Sequence, residues 1–115
     1  MKHSVGCDIV YIPSFARSVQ EGGSEFLKNL FSESEINLAS SLESLAGFFA
    51  IKESVIKAIG RKINWLDIII YKLESGKPAV RLPLVYSLCD CDVSVAHHGE
   101  YSIAIAMISQ QPQQH

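Results

Sequence analysis

The segment LESLAGFFAIKESVIKAI, residues 42–59, is the clearest helix in the sequence and constrains the rest of the fold. Its apolar side chains recur every three to four residues, which predicts one buried face. Gly60 follows directly, and glycine is common at the C-terminal end of a helix. Ser40 and Glu43 match a capping box at the start of the segment. The predicted apolar arc contains Leu45, Phe48, Phe49, Val55, Ile56 and Ile59.

Three charged residues lie on this arc or at its edge. Lys52 falls in the middle of the arc, where its ammonium must either reach solvent or meet an anion. Glu53 and Lys57 are one turn apart along the edge. They fit an ordinary surface ion pair, worth about 0.2–0.5 kcal/mol. They also fit a functional pair, and their spacing alone does not favour that second interpretation.

The N-terminal segment SVGCDIVYI, residues 4–12, reads as a strand. Alternate side chains of a strand share a face, so Asp8 should point the same way as Gly6 and Val10. A carboxylate with such neighbours is costly unless it meets a cation, a metal or several donors. Asp8 is therefore either the cap of a neighbouring helix or a metal-binding or catalytic carboxylate.

The other segments predict short elements on either side of the long helix. Short helical pieces are expected over residues 14–39, interrupted at Gly22-Gly23, and Ser32 with Glu35 matches a capping box. One hairpin is predicted from 68–74 and 79–82, then a short helix over 84–89. A second hairpin is predicted from 93–97 and 101–108.

This order of elements predicts an α+β fold, in which a small, largely antiparallel sheet packs against helices. The 115 residues allow one domain, which we assign to residues 1–109. The polar residues 110–115 are expected to form a disordered tail.

Composition excludes several classes of protein. Ten basic and twelve acidic residues give a net charge of −2, which argues against a nucleic-acid partner. No apolar run approaches the roughly 20 residues that span a bilayer, and the N-terminal residues lack the layout of a signal peptide. We therefore expect no membrane partner. Three cysteines, an odd number, indicate a reducing compartment and hence the cytoplasm.

The C-terminal half contains two further groups of potential ligands. Cys89 and Cys91 precede His97 and His98, and these residue types can bind zinc. The spacing of the two cysteines does not match known zinc patterns. A zinc-binding or purely structural module is the least favoured interpretation. His97 ends an apolar strand just before a turn, where a single histidine is more often structural than catalytic.

Four segments occur together in an order that is characteristic of one family. They are VGCDIVYIPSF at 5–15, LAGFFAIKESVIKAIG at 45–60, SGKPAVRL at 75–82 and VSVAHHGEYSIAIAMI at 93–108. With them, the chain resembles the holo-acyl-carrier-protein synthase type of 4′-phosphopantetheinyl transferase over residues 4–108. The resemblance implies transfer of the phosphopantetheine arm of coenzyme A to a serine of an apo-acyl carrier protein. The second product is adenosine 3′,5′-bisphosphate.

The resemblance also implies roles for individual residues. Asp8 and Glu53 correspond to the ligands of a Mg²⁺ ion, and Mg²⁺ prefers such hard oxygen donors. Lys57 corresponds to a catalytic residue that contacts phosphate oxygens, and Glu53 or a metal-bound water would accept the serine proton. The residues that correspond to cofactor-binding positions are Lys52, Lys57, Gly60, Gly76, Lys77, Pro78 and His97.

The resemblance implies a homotrimer with active sites between subunits, whose partners are coenzyme A and an acyl carrier protein. Several positions depart from the family pattern, and the most important is residue 48. Phe48 stands where members usually carry arginine, and phenylalanine cannot replace the bidentate phosphate contact of a guanidinium. A degenerate relative that binds coenzyme A or a carrier protein without turnover is therefore the alternative.

Overall fold

The computed structural model describes residues 2–110, which form five strands and three helices. The strands are β1 (His3–Tyr11), β2 (Ile69–Lys72), β3 (Pro78–Arg81), β4 (Cys89–His98) and β5 (Tyr101–Gln110). The helices are α1 (Ile12–Leu30), α2 (Glu33–Leu38) and α3 (Leu42–Ile59), with short 3₁₀ turns at Trp65–Asp67 and Leu84–Tyr86. The predicted α+β class is confirmed.

The strands form two antiparallel sheets. The larger has the order β1-β5-β4, and the smaller is the hairpin of β2 and β3. Gly99 and Glu100 form the tight turn between β4 and β5, and Gly99 adopts a positive φ of 57° there. The larger sheet thus brings the N-terminal strand next to the C-terminal strand.

Helix α3 packs across one face of the larger sheet and contacts all three of its strands. Gly6 of β1 allows a close approach, because a Cβ atom at this position would lie 2.0 Å from the Ser54 carbonyl oxygen. The Ser4 hydroxyl donates a hydrogen bond to the Ala58 carbonyl beside it. Backbone contact therefore sets the distance between β1 and α3.

The N-terminal helices follow the predicted pattern. Pro13 lies in the first turn of α1, where a missing N–H costs little. The predicted interruption is confirmed at Gly23, whose φ of 62° and ψ of −149° break the helix. The capping box of Ser32 and Glu35 is also present at α2.

The sequence predicts the C-terminal end of α3 correctly but misplaces its N-terminal end by one residue. Gly60 caps the C-terminus with φ 78°, as predicted. The predicted Ser40–Glu43 capping box is wrong, because Ser41 is the N-cap and accepts a hydrogen bond from the Ser44 backbone N–H. Ser40 and Ser41 are adjacent candidates for the N-cap, so the sequence leaves the start of α3 ambiguous by one residue.

The second face of the larger sheet carries exposed apolar side chains. Its members alternate with the buried residues of β1 and β5, as the period of a strand requires. Ile9 is the most exposed of them at 60%. We call this surface the open sheet face; it consists of Val5, Cys7, Ile9, Tyr11, Tyr101, Ile103, Ile105 and Met107.

Several boundaries differ from the prediction. Strand β4 begins at Cys89, four residues earlier than expected, and the predicted helix over 84–89 is only a 3₁₀ turn. Strand β5 ends at Gln110, one residue inside the predicted tail; residues 111–115 lie outside the described part of the chain. Among residues 2–110, no helix combines the length and the apolar character needed to cross a membrane.

Candidate active site

Asp8 and Lys57 meet where β1 crosses α3. The predicted orientation of Asp8 is confirmed, because it lies on the same face as the buried Gly6 and Val10. The Lys57 ammonium donates a hydrogen bond of 3.0 Å to Asp8 Oδ1. This bond raises the pKa of Lys57, so the ammonium stays charged. The Asp8 side chain is only 17% exposed, and Lys57 supplies its counter-charge.

Glu53 lies one helical turn before Lys57 and belongs to the same site. Partial burial raises the pKa of Glu53, and the nearby charge of Asp8 raises it further. Lys57 and the Trp65 indole act in the opposite direction. The two carboxylates are thus close enough to repel each other, which is the electrostatic condition for binding a shared cation.

Lys52 points away from this site and is completely buried. Its ammonium donates to Glu35 Oε1 at 2.8 Å, to the Leu30 carbonyl at 2.8 Å and to the Trp65 carbonyl at 2.9 Å. These contacts use all three of its donors. Burial lowers the pKa of Lys52, an effect that the bond to Glu35 opposes. The expectation that Lys52 binds the cofactor is therefore corrected: it stabilises the fold.

His97 lies on β4, next to the start of α3. Its Nδ1 lies 2.7 Å from the hydroxyl of the buried Ser102 and 3.6 Å from a Glu43 carboxylate oxygen. The ring packs against Gly47, where a Cβ atom would lie only 3.0 Å from His97 Cε1. About a third of the side chain is exposed. His97 is thus held in place while part of its ring faces outward.

The remaining predicted cofactor residues lie at other places. Gly60 ends α3 just beyond Lys57. Gly76 and Lys77 lie in the turn of the small hairpin, and Pro78 begins β3 directly after it. The Lys77 ammonium contacts an Asp92 carboxylate oxygen at 2.7 Å. Within residues 2–110, no hydrogen bond or ion pair joins Lys77 or His97 to the group formed by Asp8, Glu53 and Lys57.

The geometry does not support the zinc alternative. Cys91 and His97 are six residues apart on one extended strand, about 20 Å at the usual rise. Burial raises the pKa of Cys91 to about 11, whereas zinc binds the thiolate. The part of the chain that the structure describes contains no group of three or more potential His, Cys, Asp or Glu ligands.

A cleft of about 520 Å³ opens beside Glu53. It lies between the C-terminal half of α3 and the loop that follows that helix. Most of its surface is apolar, with one ammonium at Lys62. It is lined by Asn29 near the end of α1, by Glu53 and Ile56 of α3, and by residues 62–66. Its size and lining suit a flexible, mostly apolar chain whose reactive end lies near a carboxylate.

Comparison with known proteins identifies the family. The model of the 4′-phosphopantetheinyl transferase superfamily matches residues 4–106, nearly the whole described chain. The chain belongs to this superfamily. The resemblance inferred from the four sequence segments is thereby confirmed.

Relatives of this chain have a similar length, and one of known structure has a similar fold. The holo-[acyl-carrier-protein] synthase of Campylobacter curvus is 34% identical over 113 residues, covering 91% of this chain and 99% of its own. That of Wolbachia pipientis wMel is 35% identical, covering 94% of each chain. The crystal structure of the Helicobacter pylori holo-[acyl-carrier-protein] synthase in complex with coenzyme A has a TM-score of 0.86. It is 32% identical and covers 91% of this chain and 99% of its own. The transferase is an enzyme of this type, which transfers 4′-phosphopantetheine from coenzyme A to an acyl carrier protein.

Sequence analysis missed two residues of the transferase that matter to the site. Glu35 was assigned only to a capping box, although it is also the buried partner of Lys52. Trp65 lies outside the four segments that identified the family, although it lines the cleft beside Glu53. Only Lys52 indicated that such a partner exists, because a lysine in an apolar arc requires an anion. The sequence does not specify which acidic residue supplies that anion.

Proposed function

We propose that Asp8, Glu53 and Lys57 form the centre at which the serine of the carrier protein attacks coenzyme A. The supporting observation is that two carboxylates and one ammonium, from two different elements, meet beside a ligand-sized cleft. Helix α3 supplies two of the three groups on successive turns, and β1 supplies the third from a position fixed by Gly6.

Asp8 and Glu53 would hold one Mg²⁺ ion. Their donor set fits, since Mg²⁺ is usually held by one or two carboxylates together with substrate phosphates and waters. The repulsion between the two carboxylates also favours a shared cation. When bound, the ion would neutralise charge on the diphosphate of coenzyme A and polarise the phosphorus.

Lys57 and Glu53 supply the remaining chemistry. The Lys57 ammonium is charged and more than half exposed, so it can donate hydrogen bonds to phosphate oxygens as charge spreads over them. Glu53, whose pKa is raised, accepts the proton of the serine hydroxyl. The oxygen of that serine then bonds to phosphorus, and adenosine 3′,5′-bisphosphate leaves. The apolar cleft holds the pantetheine chain.

The nucleotide part of coenzyme A would contact Gly60, the Gly76–Pro78 turn and His97. Since no hydrogen bond or ion pair joins Lys77 or His97 to the Asp8 group within the described residues, we propose that they complete the site of a neighbouring subunit. The open sheet face supports assembly, because an apolar patch that large is usually covered in a working oligomer. We propose that the assembly is a homotrimer with equivalent sites between its subunits.

The cytoplasm is the proposed location. All three cysteines are free thiols, as expected in a reducing compartment. One domain spanning residues 1–109 remains our assignment, and the family match over residues 4–106 supports it.

The test is transfer itself, measured by the intact mass of an apo-acyl carrier protein after incubation with coenzyme A, Mg²⁺ and the enzyme. We expect the mass to increase by one phosphopantetheine group, and a chelator to prevent the increase. Asp8→Asn, Glu53→Gln and Lys57→Met should each abolish transfer. Asp67→Asn is the matched control, because it removes an exposed carboxylate that forms no hydrogen bond or ion pair with these three residues.

Two results would contradict the proposal. Full transfer by Asp8→Asn or Glu53→Gln would exclude the metal assignment. Binding of coenzyme A by the unmodified enzyme without any mass increase, across a panel of carrier proteins, would favour the degenerate alternative.

A further inference from the structure

Trp65 is the only tryptophan of the chain, and the structure fixes it from two sides. Its backbone carbonyl accepts a hydrogen bond of 2.9 Å from the buried Lys52 ammonium. Its ring packs against Phe49, with 6.1 Å between the ring centroids. Lys52 is itself held by Glu35. The buried ion pair therefore anchors one wall of the cleft.

The indole nitrogen of Trp65 is buried and has no hydrogen-bond partner among the described residues. A buried indole N–H normally has an acceptor, so this group requires an explanation. The Glu53 carboxylate lines the same cleft and is near enough for the indole to lower its pKa. In this structure the N–H and the carboxylate do not meet the geometry of a hydrogen bond.

We propose that Trp65 is a positioning residue for Glu53, whose carboxylate accepts the indole N–H in the working enzyme. A carboxylate has two oxygens, so one can accept the indole N–H while the other faces Asp8 and the substrate. The bond would fix the rotation of the Glu53 side chain. The Lys52–Glu35 pair acts behind it, because it holds the Trp65 backbone against α3. This inference depends on the role of Glu53 proposed above.

The first test observes the hydrogen bond directly and needs no transferase activity. A single tryptophan gives a single indole N–H signal in a ¹⁵N-labelled sample, recorded with and without coenzyme A. We expect Glu53→Gln to move this signal upfield and to speed its exchange with solvent. Glu43→Gln is the matched control, since it makes the same change on the same helix beside His97. If Glu53→Gln changes the signal no more than Glu43→Gln does, in either state, the proposal is wrong.

The second test separates positioning from packing. Trp65→Phe keeps an aromatic ring against Phe49 but lacks the N–H. We expect kcat to fall about tenfold, the usual effect of losing one hydrogen bond to a charged group. The KM for coenzyme A should change less than about twofold. A purely structural tryptophan would instead lower the melting temperature and raise KM, with kcat preserved.

An analogue of the same size as tryptophan tests the loss of the N–H without the loss of volume that phenylalanine causes. Benzothienylalanine replaces the indole N–H with sulfur, and global replacement of tryptophan changes only position 65 of this chain. The isostere should reproduce the loss of kcat, and full kcat with it would overturn the proposal. If even the unmodified enzyme transfers nothing, the proposed function fails, and the indole signal still decides whether Trp65 binds Glu53.

Discussion

Glu53 is destabilising in its charged form, as functional carboxylates often are. Partial burial and Asp8 raise its pKa above the ordinary value of 4.5. The unfolded chain therefore loses its proton at lower pH than the folded chain does. Well below pH 4.5, Glu53 is protonated in both states and costs nothing. As the pH rises through the two pKa values, Glu53 ionises and the free energy of unfolding decreases.

This effect predicts that Glu53→Gln stabilises the metal-free enzyme. At pH 7 the melting temperature of the variant should exceed that of the unmodified protein, since glutamine has no charge to desolvate. The difference should shrink as the pH falls below about 4. Thermal unfolding at several pH values measures this. A pH-independent difference, or a less stable variant at pH 7, would contradict the argument.

Gly6 is required because no side chain fits between β1 and α3. In Gly6→Ala, the new methyl group would lie 2.0 Å from the Ser54 carbonyl oxygen and 2.6 Å from the Ala58 nitrogen. Both are backbone atoms of α3 and cannot rotate away. We expect a loss of about 3 kcal/mol or more in the free energy of unfolding.

Gly60→Ala is the matched control for that loss, measured by urea denaturation. A Cβ atom at Gly60 meets nothing within 4 Å, and only the positive φ opposes it. The expected cost is about 1 kcal/mol. Equal costs for the two variants would show that the contact between β1 and α3 is looser than the structure indicates.

At the scale of elements, the Lys52–Glu35 ion pair joins five parts of the fold. Lys52 extends from α3 to the last carbonyl of α1 and to the Trp65 turn. Glu35 lies in α2, and its second oxygen accepts a hydrogen bond of 2.8 Å from the Ile70 N–H of β2. One buried pair thereby holds these five elements together.

The pair should show strong coupling in a double-mutant cycle. Lys52→Met leaves a buried, unpaired carboxylate, and we expect it to cost about 3–5 kcal/mol. Adding Glu35→Gln removes that charge while keeping an acceptor for Ile70. The double variant should therefore be more stable than Lys52→Met alone by about 1–3 kcal/mol. Urea denaturation of the two single variants and the double variant measures this coupling. Additive effects would argue against a direct ion pair.

How far sequence predicts these elements depends on the range of the interactions. Asp8 and its neighbours were placed on the correct face, because the period of a strand is local. The same holds for Ser32 with Glu35 and for the cap at Gly60. The partner of Lys52 was not found, since it lies 17 residues away and reaches Lys52 only through tertiary packing. Strand β4 was predicted too short, because its first residues, CDCD, have little strand propensity despite their alternation.

At the scale of the whole molecule, the open sheet face supports the proposed assembly. Helices cover one side of the β1-β5-β4 sheet, and apolar side chains occupy the other. The segment AIAMI of β5 places apolar residues on both sides of the strand. The structure confirms that the second side is apolar and exposed within one chain.

A charge on this face should prevent assembly. Ile105 is 48% exposed near the middle of the face, paired with Cys7 of β1. We expect Ile105→Glu to reduce the mass in light scattering from three chains to one. Leu84→Glu is the matched control, because Leu84 is 90% exposed but lies outside the face. An unmodified protein that is monomeric and fully active would contradict the assembly, as would an Ile105→Glu variant that stays trimeric.

Because Asp8 lies on a strand of the open sheet face, we expect activity to depend on the concentration of the enzyme. Asp8 lies between Cys7 and Ile9, two members of the open sheet face, so the strand that carries the proposed metal ligand also contributes to the proposed interface. If each site needs a second subunit, the active species disappears on dilution according to mass action. Below the dissociation range, activity would then follow about the third power of total protein, as three chains combine into one trimer. A cell could therefore change its rate of carrier-protein activation steeply through a small change in the expression of a single gene.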